Sequence, residues 1–142
     1  MYKISFTLLT VFVVCFINLE AQTNFWNSTQ AYLAQTPPLD TPRVFAPDLL
    51  VKDGGIALDR VTFSEDGKEF YYCHAQRWFD FKGSSIKYFV YDNSGWAGPK
   101  TLHKEYYGPT FSPEGKTLFF ISKEKGTVFQ SHRMISGWTE PE

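Results

Sequence analysis

The feature that most restricts this chain is a block of residues that occurs twice, in the same order and with the same punctuation. Val61-Thr62-Phe63-Ser64-Glu65-Asp66-Gly67-Lys68-Glu69-Phe70-Tyr71-Tyr72 aligns without gaps on Pro109-Thr110-Phe111-Ser112-Pro113-Glu114-Gly115-Lys116-Thr117-Leu118-Phe119-Phe120. Further along, Asn93-Ser94-Gly95-Trp96-Ala97-Gly98-Pro99 aligns on Ile135-Ser136-Gly137-Trp138-Thr139-Glu140-Pro141. Two matching blocks in the same order mean one supersecondary unit built twice, each copy burying apolar surface against its neighbour.

Each copy has a physical reading. Ser64-Glu65-Asp66-Gly67 and Ser112-Pro113-Glu114-Gly115 suit a type I turn with a left-handed glycine forming a bulge, and Pro113 presets φ at the second position. The strands that follow, Phe70-Tyr71-Tyr72 and Leu118-Phe119-Phe120, are apolar on both faces and so require cover on both sides. A third strand is expected at Ile86 to Tyr91 and at Val128 to Met134, and a fourth begins near Trp96 and Trp138 after a Ser-Gly turn. The expected fold is therefore all-β: two four-stranded antiparallel blades of the β-propeller type, residues 59–106 and 107–142, the second incomplete. Aromatic residues make up 18% of the chain, with 14 Phe and 8 Tyr, and such side chains pack well on a pleated surface.

The N-terminus carries Lys3, an apolar stretch from Ile4 to Ile17 and a small residue at Ala21, the three regions of a secretory signal peptide. Residues 1–21 are thus expected to form a signal helix, with a mature chain from Gln22 that is secreted or held in the periplasm or cell envelope. The alternative is an uncleaved anchor, the sole membrane contact this sequence offers, but the run is shorter than the ~20 residues a spanning helix needs and ends at Asn18 and Glu20. Cys15 invites lipid attachment, yet Val13-Val14 before it lacks the small residue such processing uses. Without the signal, Cys73 stands alone, so no intramolecular disulfide forms and the thiol reads as a small core residue. Between residues 22 and 58, Pro37, Pro38, Pro42 and Pro47 oppose regular helix and central strands. That segment is expected to run extended along the repeats, with Tyr32-Leu33 and Val44-Phe45 tucked into apolar grooves and Asn27 or Ser28 capping a helical turn. Asn27-Ser28-Thr29 also fits the glycosylation acceptor pattern.

The Phe-Ser-x-x-Gly-Lys turn before an aromatic strand, paired with Gly-Trp-x-x-Pro, resembles the WD-like β-propeller repeat of TolB-type exported bacterial proteins. The resemblance covers Asp59 to Glu142, and Tyr32 to Pro38 through Phe45-Ala46-Pro47 is similar to the lead-in before the first blade of such proteins. It implies a ring of blades, and rings close with ~4–8 of them, so two copies make a partial or truncated propeller. The second copy reaches only Pro141-Glu142, whereas the first continues through Lys100-Thr101-Leu102, which implies a fragment of a longer propeller. Open apolar faces and open blade edges then imply self-association.

The sequence excludes more chemistry than it offers. There is no Gly-x-Ser-x-Gly, and Gly83-Ser84-Ser85 reads as a turn feeding the third strand. His74, His103 and His132 lie far apart and form no ligand pair, and Asp66-Gly67 lacks the alternating oxygen ligands of a calcium loop. No catalytic constellation, metal or cofactor is expected. A net charge of -1 with no run of either sign gives no footprint for nucleic acid. Trp96 and Trp138 recur at one place in each copy and so read as packing residues.

What repetition does not explain is a loop six residues longer in the first copy, measured from Gly67 to Gly95 against Gly115 to Gly137. It carries Arg77, Trp78, Phe79 and Asp80, and a four-strand meander places it beside Tyr106 and Tyr107. These six are the candidate ligand-binding residues, a composition suited to stacking and hydrogen bonding with a glycan or an extended peptide. The expected function is a non-catalytic module of the bacterial cell envelope that binds or scaffolds an envelope protein or glycan. The alternative is the N-terminal propeller part of an exported peptidase or glycan-processing enzyme.

Overall fold

A computed structural model describes residues 24–37, 39–78 and 83–142; the expected signal segment lies outside these residues, as do Phe79 to Lys82. The two repeated turns close as their residues dictate. Gly67 N donates to Ser64 O at 2.9 Å and Gly115 N to Ser112 O at 2.9 Å, with the glycines at φ 74° and 66°. Each turn serine also accepts the amide that starts the next strand, Glu69 N at 2.9 Å and Thr117 N at 3.1 Å.

The strands are β1 (Ile56–Phe63), β2 (Glu69–Ala75), β3 (Ser85–Asp92), β4 (Gly95–Lys104), β5 (Tyr106–Phe111), β6 (Thr117–Ser122), β7 (Val128–Met134) and β8 (Gly137–Trp138). They form two four-stranded antiparallel sheets, ordered β1-β2-β3-β4 and β5-β6-β7-β8. The fourth strand of the second sheet is prolonged by a mutual backbone pair between Gln130 and Glu142, at 3.0 Å in both directions. β1 begins at Ile56, ahead of Asp59. Asp59 itself sits at φ 61°, within the register shift between Leu58 and Val61.

The preceding residues turn more than they extend. A 3-10 turn spans Phe25–Asn27, with the Asn24 side chain accepting from Trp26 N at 3.1 Å. Tyr32, Leu33 and Ala34 form one left-handed turn at φ 54°, 58° and 56°, and Pro47–Leu50 is a short helix with proline in its first turn. Of the two pairs expected to tuck inward, Leu33 is buried and Phe45 packs on the core, whereas Val44 is 82% exposed. Successive residues of an extended chain point opposite ways, so Val44 and Phe45 cannot both face the sheet.

Burial follows the alternation of β2. Phe70, Tyr72 and Phe89 pack on one face of the first sheet against Leu33, Ala46 and Leu50 of the N-terminal segment. Tyr71 and Ile86 pack on the other face against Leu118 and Phe120 of the second sheet. Phe70 to Cys73 are therefore buried on both sides, and full burial of one such side chain contributes about 1.5–3 kcal/mol. β6 carries the same kind of apolar run but is covered on one side only: Leu118 and Phe120 are buried, and Phe119 between them is 38% exposed.

The two boundaries are built alike. Trp138 Nε1 donates to Tyr71 OH at 2.9 Å across the sheet–sheet boundary, and the equivalent Trp96 Nε1 donates to Gln30 O at 2.7 Å across the boundary with the N-terminal segment. Phe111 is met by the Tyr71 and Trp138 rings at 5.2 and 5.9 Å, and the equivalent Phe63 by Trp26 and Tyr32 at 5.4 and 5.9 Å. Residues 24–51 thus occupy on the first sheet the position that the first sheet occupies on the second.

Candidate functional site

β2 ends and β3 begins at the same end of the sheet where β4 passes into β5, which brings Arg77 and Trp78 to the end that carries Tyr106 and Tyr107. From there the expected set divides. Arg77 is exposed and Trp78 is 58% exposed. Tyr106 turns inward, its ring 5.0 Å from Phe120, 5.5 Å from Phe129 and 6.0 Å from His103. Tyr107 packs beside Leu58, Cys73 and Ala75. Phe79 and Asp80 lie outside the described residues.

The ground beneath this end is polar but closed. His103 Nε2 lies 3.1 Å from Ser131 Oγ, and burial holds the imidazole below its usual range. Ser84 at the foot of the loop is buried, its carbonyl accepting Glu105 N at 2.8 Å while its hydroxyl has no hydrogen-bond partner among the described residues. The Cys73 thiol is buried and pushed up to about 11 by desolvation, which suits packing and opposes nucleophilic use.

The opposite, turn end holds a feature that sequence reasoning did not reach. Arg133 on β7 donates through Nη1 and Nη2 to the two carboxylate oxygens of Glu69 on β2, each at 2.8 Å, and through Nε to Gly115 O at 3.0 Å. Its guanidinium lies 4.5 Å over the Trp138 ring and 5.7 Å over Phe111. Tyr71 OH donates to Glu69 Oε2 at 3.0 Å and accepts from Trp138, so one polar chain runs Trp138, Tyr71, Glu69, Arg133. The hydrogen bonds that Arg133 donates to Glu69, more than any other influence, hold its guanidinium firmly protonated. A legible signal existed: Glu69 and Arg133 stand where the other copy has Thr117 and Tyr91, so both charges break the repeat.

Between the two Ser-x-x-Gly turns this end opens into a cleft of about 550 Å³, lined by Ser64, Glu65, Asp66, Glu69, Glu114, Gly115, Lys116 and Arg133. Glu69 and Arg133 neutralise each other, and Asp66 accepts from Ser64 Oγ at 2.6 Å and Lys68 N at 3.0 Å. Glu65, Asp66 and Glu114 against Lys116 leave the rim acidic. A second hollow of about 360 Å³ lies along the N-terminal segment, between Trp26 and Pro37. Among the described residues no three His, Cys, Asp or Glu side chains come together to hold a metal ion. Comparison with protein-family models, with curated proteins and with solved structures gave no match.

Proposed function

We propose that this chain is a propeller-type repeat module, exported to the cell envelope, that binds a protein or glycan and catalyses no reaction. Its two sheets are blade units, each built from one copy of the repeat and stacked on its neighbour. The observation that carries the binding reading is Trp78: a large aromatic residue 58% exposed beside Arg77, on the one loop that repetition does not explain. An aromatic ring presented from a sheet buried on both faces offers stacking area at small entropic cost, and the adjacent guanidinium adds donors for hydroxyl or carbonyl oxygens.

The test is a titration monitored by tryptophan fluorescence, using soluble peptidoglycan fragments, chito-oligosaccharides and proline-rich extended peptides as probes. Saturable quenching is expected with one class, weakened at least about tenfold by Trp78→Ala, the equivalent of about 1.4 kcal/mol, while the variant still folds. Absence of binding across the panel, or binding indifferent to Trp78→Ala, overturns the reading. The envelope location rests on the signal segment, and N-terminal sequencing of the exported protein should start at Gln22. A chain recovered only from the cytosol with Met1 intact contradicts it.

A further inference from the structure

The hollow along the N-terminal segment differs in chemistry from the turn-end cleft. It measures about 360 Å³ and has no Asp, Glu, Lys, Arg or His in its lining, whereas charged groups make up most of the cleft. One wall is aromatic. The Trp26 and Tyr32 rings lie 5.3 Å apart at 48°, both half-buried, and both pack on Phe63, at 5.4 and 5.9 Å. The rest is hydroxyl and amide: Asn27, Ser28, Thr29 and Thr36 are exposed, and Gln35, whose side-chain nitrogen donates to Leu33 O at 3.3 Å, keeps its side-chain oxygen as an acceptor. Trp26 Nε1 donates to Glu65 O at 3.0 Å in the first repeated turn, which puts the hollow at the turn end of the first sheet, away from the Trp78 loop.

The walls meet through a conformation that the residues themselves resist. Tyr32, Leu33 and Ala34 all sit in the left-handed region, at φ 54°, 58° and 56°, which non-glycine residues avoid. Burial of Leu33 and the bond from Trp96 to the Gln30 carbonyl hold the turn there. Its effect is to set Tyr32 beside Trp26 and to bring Gln35 and Thr36 round to the same hollow as Asn27. Strain sustained by surrounding packing clusters at ligand sites, because it shapes them before the ligand arrives.

The lining also selects among ligands. Without charge it gives an ionic ligand no counterion. An extended peptide would need a ladder of main-chain partners, yet Trp26, Asn27, Ser28, Ala34 and Gln35 already donate their backbone amides within the segment, and Pro37 has none. What the walls do offer is rigid aromatic area beside side-chain hydroxyls and amides, the combination that suits a ring with one apolar face and a rim of hydroxyls.

We propose that this hollow is a binding site for a neutral sugar unit of a glycan, the ring lying on Tyr32 and Trp26 and its hydroxyls bonded by Asn27, Thr29, Gln35 and Thr36. The assignment stands apart from the ligand read for Trp78, and either can fail alone.

Calorimetric titration of the full chain and of its Trp78→Ala variant tests it. The probes are maltohexaose, cellohexaose and N-acetylchitohexaose, with oligogalacturonate as the charged counterpart and a proline-rich peptide as the extended one. At least one neutral oligosaccharide should bind, and the binding should persist in Trp78→Ala. Asn27→Ala combined with Thr36→Val should weaken it by about tenfold or more, and Tyr32→Ala by at least as much. Should Tyr32→Ala impair folding through its contact with Phe63, the pair at the exposed positions Asn27 and Thr36 carries the result alone. The proposal is overturned if no neutral oligosaccharide binds, or if binding is lost in folded Trp78→Ala. Indifference to the Asn27→Ala and Thr36→Val pair, or a preference for oligogalacturonate or the peptide that this pair abolishes, overturns it equally.

Discussion

Replacing Glu69 with glutamine probes how the two sheets are held at their turn end. Both Arg133 nitrogens reach the carboxylate at 2.8 Å, with side chains 33% and 21% exposed. An exposed ion pair contributes about 0.2–1 kcal/mol, and two parallel charge-assisted bonds at a partly buried site contribute more. Allowing for the third of Arg133 that solvent reaches, a coupling of about 1–1.5 kcal/mol is expected. The clean assay is a double-mutant cycle of wild type, Glu69→Gln, Arg133→Met and the double variant, each unfolded in urea. Glutamine keeps the shape beside Tyr71, and methionine keeps apolar cover over Trp138, so the cycle isolates the fork. Partly buried pairs are screened less than exposed ones, so over half the coupling should survive about 1 M salt. A coupling within about 0.3 kcal/mol of zero would refute the view that the fork ties sheet to sheet.

Other expectations follow from the same packing. Gly67→Ala should cost about 1–2 kcal/mol more than Gly115→Ala in urea unfolding: both residues are left-handed, but a Cβ at Gly67 meets Trp26 at 2.9 Å whereas none meets one at Gly115. Phe120→Ala should cost about 3–5 kcal/mol and Phe119→Ala about 1 or less, although the two are neighbours in one apolar run. His103 has a folded pKa below its ordinary value, so the unfolded chain takes up its proton first as pH falls. Its contribution to stability is therefore intact above about 6.5 and declines as pH drops below it, a decline that His103→Gln should remove from the thermal melting profile. Cys73, buried with its thiol pushed up to about 11, should react with a thiol reagent at neutral pH only as fast as the protein opens.

Much of the fold is legible in the residues because its determinants are local. The turn serines and glycines carry their own instructions, and Phe70-Tyr71-Tyr72 reads correctly as a strand covered on both sides. Leu118-Phe119-Phe120 carries the same message and yet Phe119 is exposed, since whether a face is covered depends on what lies across from it. The left-handed turn at Tyr32 to Ala34 escaped for the opposite reason. Non-glycine residues disfavour that conformation, and here the burial of Leu33 and the bond from Trp96 to the Gln30 carbonyl hold it in place.

The candidate site divides along the same line. Trp78 and Arg77 are exposed, and Tyr106 packs against His103, Phe120 and Phe129. An aromatic residue at the start of a strand reads alike whether it faces ligand or neighbour. Glu69 and Arg133, 64 residues apart, are joined by tertiary packing alone, and only their departure from the repeat marks them.

The molecule is a three-layer stack in which the N-terminal segment covers the first sheet as the first sheet covers the second, with one tryptophan indole donating across each boundary. Proton NMR of the folded chain reads both contacts at once. The account predicts slowly exchanging indole protons for Trp96 and Trp138, with nuclear Overhauser contacts from Trp138 to the Tyr71 ring and from Trp96 to Gln30. Rapid exchange of both indoles with solvent, together with no contact between Trp138 and Tyr71, would contradict it.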